Sequence, residues 1–138
     1  LVVNGNDVTI YGLFNEHFQE YQTIWNGENG RVYFYQSEMP YDPPSVDEWK
    51  HGTTFGYASY KVADSVNLHH AWGLGIYNVF YDAPIVVDHA IETPPALEDS
   101  LYHKVIFWLN GNRESIVKSI INGKGGYVNA SHRKAVMK

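Results

Sequence analysis

Along the chain, apolar and polar positions alternate in short runs, and Asn/Gly turns separate one run from the next. Leu1-Val2-Val3 is followed by the turn signal Asn4-Gly5-Asn6-Asp7. Val8 to Tyr11 then reads as a strand that continues past Gly12 through Leu13-Phe14, with Gly12 marking a bulge or a close backbone approach. Glu20 to Trp25 predicts a second strand, with Tyr21, Thr23 and Trp25 on one face. Asn26-Gly27-Glu28-Asn29-Gly30 can supply the positive-φ positions of a tight connection. Arg31 to Gln36 predicts a third strand, Val32 and Phe34 facing one way and Tyr33 and Tyr35 the other.

Met39-Pro40-Tyr41-Asp42-Pro43-Pro44 cannot be regular structure, because its prolines remove amide donors and fix φ; it predicts a rigid extended loop. Ser45 to Trp49 can form one helical turn, with Ser45 as N-cap and Glu48 at the capping-box position. Strands resume over Thr53 to Val62, Val66 to His70, Ala71 to Tyr81 and Leu101 to Leu109. Ile85 to Ile91 and Glu114 to Ile121 suit strand or helix, and the polar end of the chain, residues 129–138, is expected to fray. Short strands and Asn/Gly turns with few helical signals predict an all-β architecture, for which a sandwich and a parallel β-helix both fit. The first three strands, centred near Ile10, Thr23 and Phe34, recur every 11–13 residues, but no strict repeat chooses between the two.

At 138 residues the chain is one domain's worth, and its 44% hydrophobic content belongs to a folded protein. Aromatics make up 15%, weighted towards tyrosine, a composition that suits sugar-stacking surfaces and half-buried strands equally. A net charge of −5 argues against nucleic acid held by phosphate neutralisation. The absence of cysteine excludes disulfides and thiolate chemistry. No apolar run approaches the roughly 20 residues of a membrane-spanning helix. The chain opens on Leu1 rather than Met and carries no signal peptide, so it is expected to be a processed or truncated piece. The sequon Asn129-Ala130-Ser131 gives weak support to secretion.

Two carboxylates stand near strand ends among aromatic side chains. Glycoside hydrolysis commonly uses two carboxyl groups, one of them a proton donor to the leaving oxygen. Glu38, between an aromatic strand and a proline-stiffened loop, has the low-polarity setting that suits a proton donor, and Glu16 is its natural partner. From sequence alone, a glutamate at a strand end is more often a solvated edge residue. No metal or cofactor is expected. His69 and His70 point to opposite strand faces, Glu16-His17 is not part of an HExxH motif, and Gly73-Leu74-Gly75 lacks the third glycine of a dinucleotide fingerprint.

The run YQTIWNGENGRVYFYQSEMPYDPP, with GYASYKVADSV and HHAWGLGIYNVF after it, resembles the C-terminal part of the family-55 glycoside hydrolases, which are exo-acting β-1,3-glucanases. The resemblance covers about residues 8 to 91 and extends more loosely over the remainder. It implies a right-handed parallel β-helix, one of two in a longer enzyme, with a pocket between them and an inverting mechanism. The glutamate before Met-Pro-Tyr in the family's motif matches Glu38, which inherits the general-acid role. The glutamate of the Leu-Phe-x-Glu-His run matches Glu16, expected to line the pocket and assist. Tyr41 matches a pocket tyrosine that contacts sugar, and Trp25 is a further candidate for substrate contact. The residues that position the attacking water lie upstream of this segment in the family. The chain is therefore expected to be inactive alone, to need the missing N-terminal β-helix region as partner, and to act on β-1,3-glucan outside the cell. Two other classes fit the strands: a non-catalytic β-helix module that binds carbohydrate, and a polysaccharide lyase.

Overall fold

The computed structural model describes all of residues 1–138. Its strands are β1 (Val2–Val3), β2 (Thr9–Glu16), β3 (Thr23–Trp25), β4 (Gly30–Glu38), β5 (Lys50–His51), β6 (Thr54–Phe55), β7 (Tyr60–Val62), β8 (His69–Phe80), β9 (Val86–Val87), β10 (Ile91–Glu92), β11 (Leu101–Gly111), β12 (Ile116–Val117), β13 (Val128–Asn129) and β14 (Lys134–Met137). A 3₁₀ turn spans Pro95–Ser100. The first sheet has the order β1-β3-β7-β10, the second β14-β11-β8-β4-β2, and the third β13-β12-β9; β5 and β6 form a separate hairpin. Neighbours along the coil pair in parallel, each turn of chain crossing the first sheet and then the second before stacking on the turn before. Stacked parallel strands rule out the antiparallel sandwich and leave the coiled alternative.

Successive coils differ in length. Tyr11 pairs with Tyr33, Tyr33 with Trp72, and Trp72 with Tyr102, so the coils take 22, 39 and 30 residues. This is why no repeat is visible in the sequence. The longest coil owes its length to an excursion after β4 that contains the proline loop and the β5–β6 hairpin. Ser45 caps a single turn there, with the Glu48 amide donating to Ser45 Oγ at 3.2 Å, while the Glu48 carboxylate accepts from the Ser45 hydroxyl at 2.8 Å and not from the Ser45 amide as in a full capping box. Between the sheets lies a core that includes Trp25, Val32, Tyr35, Met39, Tyr60, Leu74, Ile76 and Ile106.

One feature of the second sheet breaks the strand period. Gly12, Phe34, Gly73 and His103 all have left-handed φ, at 68°, 68°, 71° and 57°, and the parallel register steps over each of them. A residue in that conformation adds a bend and resets the inward–outward alternation. Val32 and Phe34 therefore do not share a face: Val32 is buried and Phe34 is 56% exposed, while Tyr35 turns into the core. The expected alternation fails at one residue and resumes after it.

Two further expectations are corrected. Trp25 is fully buried, its ring 4.8 Å from that of His69, so it packs the core and is not a substrate contact. Gly30 leaves no room for a side chain between those two rings. The end of the chain does not fray. β13 and β14 run antiparallel to β12 and β11 and cover the edge of the last coil, an edge that would otherwise stay unpaired.

Candidate active site

Parallel register brings the two glutamates together. Glu16 ends β2 and Glu38 ends β4, and they are direct partners in the ladder although 22 residues separate them. Adjacent strands lie about 4.8 Å apart, so outward side chains at paired positions are neighbours. The same outward row continues through Tyr77 on β8 to Phe107 on β11. Those two rings stack at 5.3 Å and 4°.

The chain just after β2 completes the pair. His17 takes φ 63°, its amide donates to the Glu38 carbonyl at 3.0 Å, and its Nε2 lies 3.3 Å from Glu38 Oε2. With its proton on Nε2, His17 donates to a carboxylate; with it on Nδ1, it accepts from a carboxylic acid. Gln36 donates from Nε2 to Glu16 Oε1 at 3.4 Å. One carboxylate oxygen of each glutamate and a ring nitrogen of His17 all lie within 4.8 Å of one another. Ligand spacing in the sequence did not reveal this trio, because one coil of chain separates its members. The Glu38 side chain keeps 18% of its surface open, enough for a substrate oxygen to reach it.

The proline loop contributes Tyr41. Its entry is pinned where the Met39 amide donates to the Tyr77 carbonyl at 2.9 Å and Met39 is buried. The Tyr41 carbonyl accepts from the Tyr81 amide at 2.9 Å, and Gln19 Nε2 donates to Asp42 Oδ1 at 2.9 Å. The Tyr41 ring lies 4.3 Å from that of His17 and edge-on to Tyr81 at 5.5 Å. Desolvation, followed by the charge of Glu38, pushes the Tyr41 phenol above its ordinary value. The Tyr41 hydroxyl thus stays a donor across the neutral range.

The structure brings Glu16, Glu38 and Tyr41 together and leaves Trp25 in the core. Sequence reasoning missed His17, Gln36 and Tyr77. Only His17 carried a signal, as the residue after Glu16 in the Leu-Phe-x-Glu-His run.

The geometry can be set beside known proteins. A family model described as the LAM55 pectate lyase-like domain matches residues 1–38. An exo-beta-1,3-glucanase of Streptomyces sp. (strain SirexAA-E / ActE) is 45% identical over 93 residues, which are 67% of this chain and 15% of that protein. The solved structure of sacteLam55A from Streptomyces sp. SirexAA-E superposes with a TM-score of 0.89 at 34% identity, covering 99% of this chain and 25% of that one. A glutamate-to-alanine variant of sacteLam55A in complex with glucose gives a TM-score of 0.86 at 32% identity, with the same coverage. The chain spans a quarter or less of the length of these relatives. These matches bear out the resemblance read from the sequence: over almost its whole length, this chain is similar to part of a family-55 glycoside hydrolase.

Proposed function

We propose that this chain supplies the general-acid half of a secreted glycoside hydrolase that cleaves β-1,3-glucan from a chain end. The observation that carries the reading is the in-register pair of Glu38 and Glu16, bracketed by His17 and Tyr41, in a chain similar to exo-β-1,3-glucanases. The family resemblance, together with the stacked parallel strands, supports a right-handed parallel β-helix of the pectate-lyase type, set beside a second β-helix of the same enzyme.

In this mechanism Glu38 gives its proton to the glycosidic oxygen as the bond to C1 breaks. Water attacks C1 from the opposite face and loses its proton to a base, releasing glucose of inverted configuration. Inverting pairs hold their carboxyl groups about 6.5–9.5 Å apart to leave room for that water. Glu16 and Glu38 approach within 4.8 Å, too near to admit water and sugar between them. Glu16 therefore acts on the same side as the acid, orienting groups there, and the water-positioning residues come from outside this segment. His17 holds the Glu38 carboxyl in one orientation, and the Tyr41 ring packs against His17.

The test is product analysis with the full-length enzyme on β-1,3-glucan. Release of glucose whose α-anomer appears first in the NMR spectrum supports the reading. An unsaturated product would point to a lyase, and binding without products to a carbohydrate-binding module; either outcome overturns it.

A further inference from the structure

The corner between β2 and β3, residues 17–22, carries His17 to Glu38. Residues 17–20 are all exposed, so burial of side chains does not hold them in place. Residues 18–21 make no backbone-to-backbone hydrogen bond either. The pattern of the sequence puts Gln22 inside a strand, but β3 begins one residue later and Gln22 stands at its foot. The main chain is anchored there. The Gln22 carbonyl accepts from the Leu1 nitrogen at 2.9 Å, and the Thr23 amide donates to the Ser59 carbonyl at 2.9 Å.

The Gln22 side chain supplies what the backbone of the corner lacks. It is buried, and its Oε1 accepts from the Phe18 amide at 2.8 Å. Its Nε2 donates to the Phe18 carbonyl at 2.7 Å and to the Glu20 carbonyl at 3.1 Å. A glutamine amide has two N–H donors and an acceptor oxygen, and all of them are engaged on this one bend of chain. Phe18 is thereby held at both its amide and its carbonyl. His17, just before it, takes φ 63° and gives its own amide to the Glu38 carbonyl at 3.0 Å. A non-glycine residue keeps a left-handed conformation only where its surroundings over-determine it. Here β4 fixes one side of His17 and Gln22 fixes the other. The remaining ties of the corner run from Gln19 Nε2 to Asp42 and from the Trp49 indole to the Gln19 carbonyl. They lead to the proline loop and the segment after it, not to β3.

We propose that Gln22 is a positioning residue for the acid: through the Phe18 backbone, its amide holds the His17 ring against Glu38. Gln22 makes no bond to Glu38 itself, so its effect on turnover passes through His17. This rests on the glucanase reading above and extends the acid site to a buried residue at the entry of the first sheet.

The experiment is a double-mutant cycle in the full-length enzyme acting on β-1,3-glucan, with Gln22→Met, His17→Asn and the two combined. Met matches the length of Gln and removes the amide. Gln22→Met is expected to lower kcat about threefold, with KM changed by less than about 1.5-fold, and to move the pH profile of kcat as His17→Asn does. In the His17→Asn background the same substitution should lower kcat by no more than about 1.3-fold, because the group it positions is gone. If Gln22→Met does not fold, Gln22→Asn takes its place in the cycle. It keeps the amide one methylene short of Phe18 and should lower kcat about twofold, again only where His17 is present. Equal losses in both backgrounds, or no loss in either, overturn the positioning role while glucose is still released. A parent enzyme that releases no glucose from β-1,3-glucan overturns the glucanase reading, and this proposal with it.

Discussion

Two outward rows of the second sheet run across the same four strands and are built on opposite choices. One is Tyr11, Tyr33, Trp72 and Tyr102, whose rings stack at 5.0, 4.6 and 5.7 Å and lie within 15° of parallel. The other, past the left-handed bend, is Glu16, Glu38, Tyr77 and Phe107. Parallel register sets like beside like in both. For aromatic rings this is favourable, since each covers a face of its neighbour, and such pairs add about 0.5–1.5 kcal/mol beyond area burial. For two carboxylates it is unfavourable, by about 1–4 kcal/mol at this spacing if both are charged. The second row is tolerated because His17 and Gln36 bring donors to the glutamates. The aromatic row has no free faces left for sugar except at its ends, where Tyr11 is 75% exposed. Exposed aromatics are thus not by themselves the candidate site in this fold, and the mixed row is where we propose the chemistry.

If this division holds, substitutions in one row move catalysis and those in the other move stability. The largest effect is expected from Glu38→Gln in the full-length enzyme. Loss of a general acid should lower turnover of β-1,3-glucan by about 10³-fold or more, with an unchanged circular dichroism spectrum. Near-parental turnover would remove Glu38 from the acid role.

A pH effect should come next, from inside the sheet beneath the aromatic row. His69 is fully buried, with Tyr60 at 2.7 Å, and burial, then the neighbouring His70, lowers its pKa to about 4. The unfolded chain takes up a proton near the ordinary value of about 6.5, which the folded one refuses. Stability is therefore lost as pH falls from about 6.5 to about 4, by roughly 3 kcal/mol in all. Urea unfolding at about pH 7 and about pH 4.5 checks it; His69→Gln should flatten the dependence, and an equal slope in both proteins would refute the assignment.

Trp72→Ala tests the aromatic row directly. It removes the ring between Tyr33 and Tyr102 and should cost about 2 kcal/mol of unfolding free energy, below the range for a fully buried tryptophan because Trp72 is half-buried. A large loss of kcat with stability intact would break the division between the rows. The smallest effect belongs to His17→Asn. Asn tolerates the left-handed backbone but does not reach Glu38 as the imidazole does, so kcat should drop about fivefold with KM little changed. A matching drop in thermal stability without any change in the pH profile of kcat would make His17 structural only.

Much of the fold was legible because it is local. β-Branched and aromatic runs between Asn/Gly turns gave strands at β2, β4, β8 and β11, and three prolines gave the loop that carries Tyr41. The strand phase was legible up to Phe34 and failed there, since propensity contains no reason for a phenylalanine to take a left-handed φ. Trp25 illustrates the same boundary. Its composition is that of a sugar-stacking residue, and its position in the first sheet, facing the core, makes it a packing residue. The chain's end looked polar enough to fray, but the unpaired edge of β11 gives it a partner.

Glu16 and Glu38 mark the division most clearly. The sequence by itself determined that this is a β protein and that two glutamates end strands beside aromatic residues, and motif resemblance singled out Glu38 as the acid we propose. Only the tertiary structure decided that they are register partners with carboxylate oxygens within 4.8 Å, and that His17 and Gln36 attend them. The reason is physical. Strand formation depends on neighbours along the chain, whereas parallel register depends on coils of 22, 39 and 30 residues closing on one another. What each coil places on the next is set by those closures and not by any local pattern.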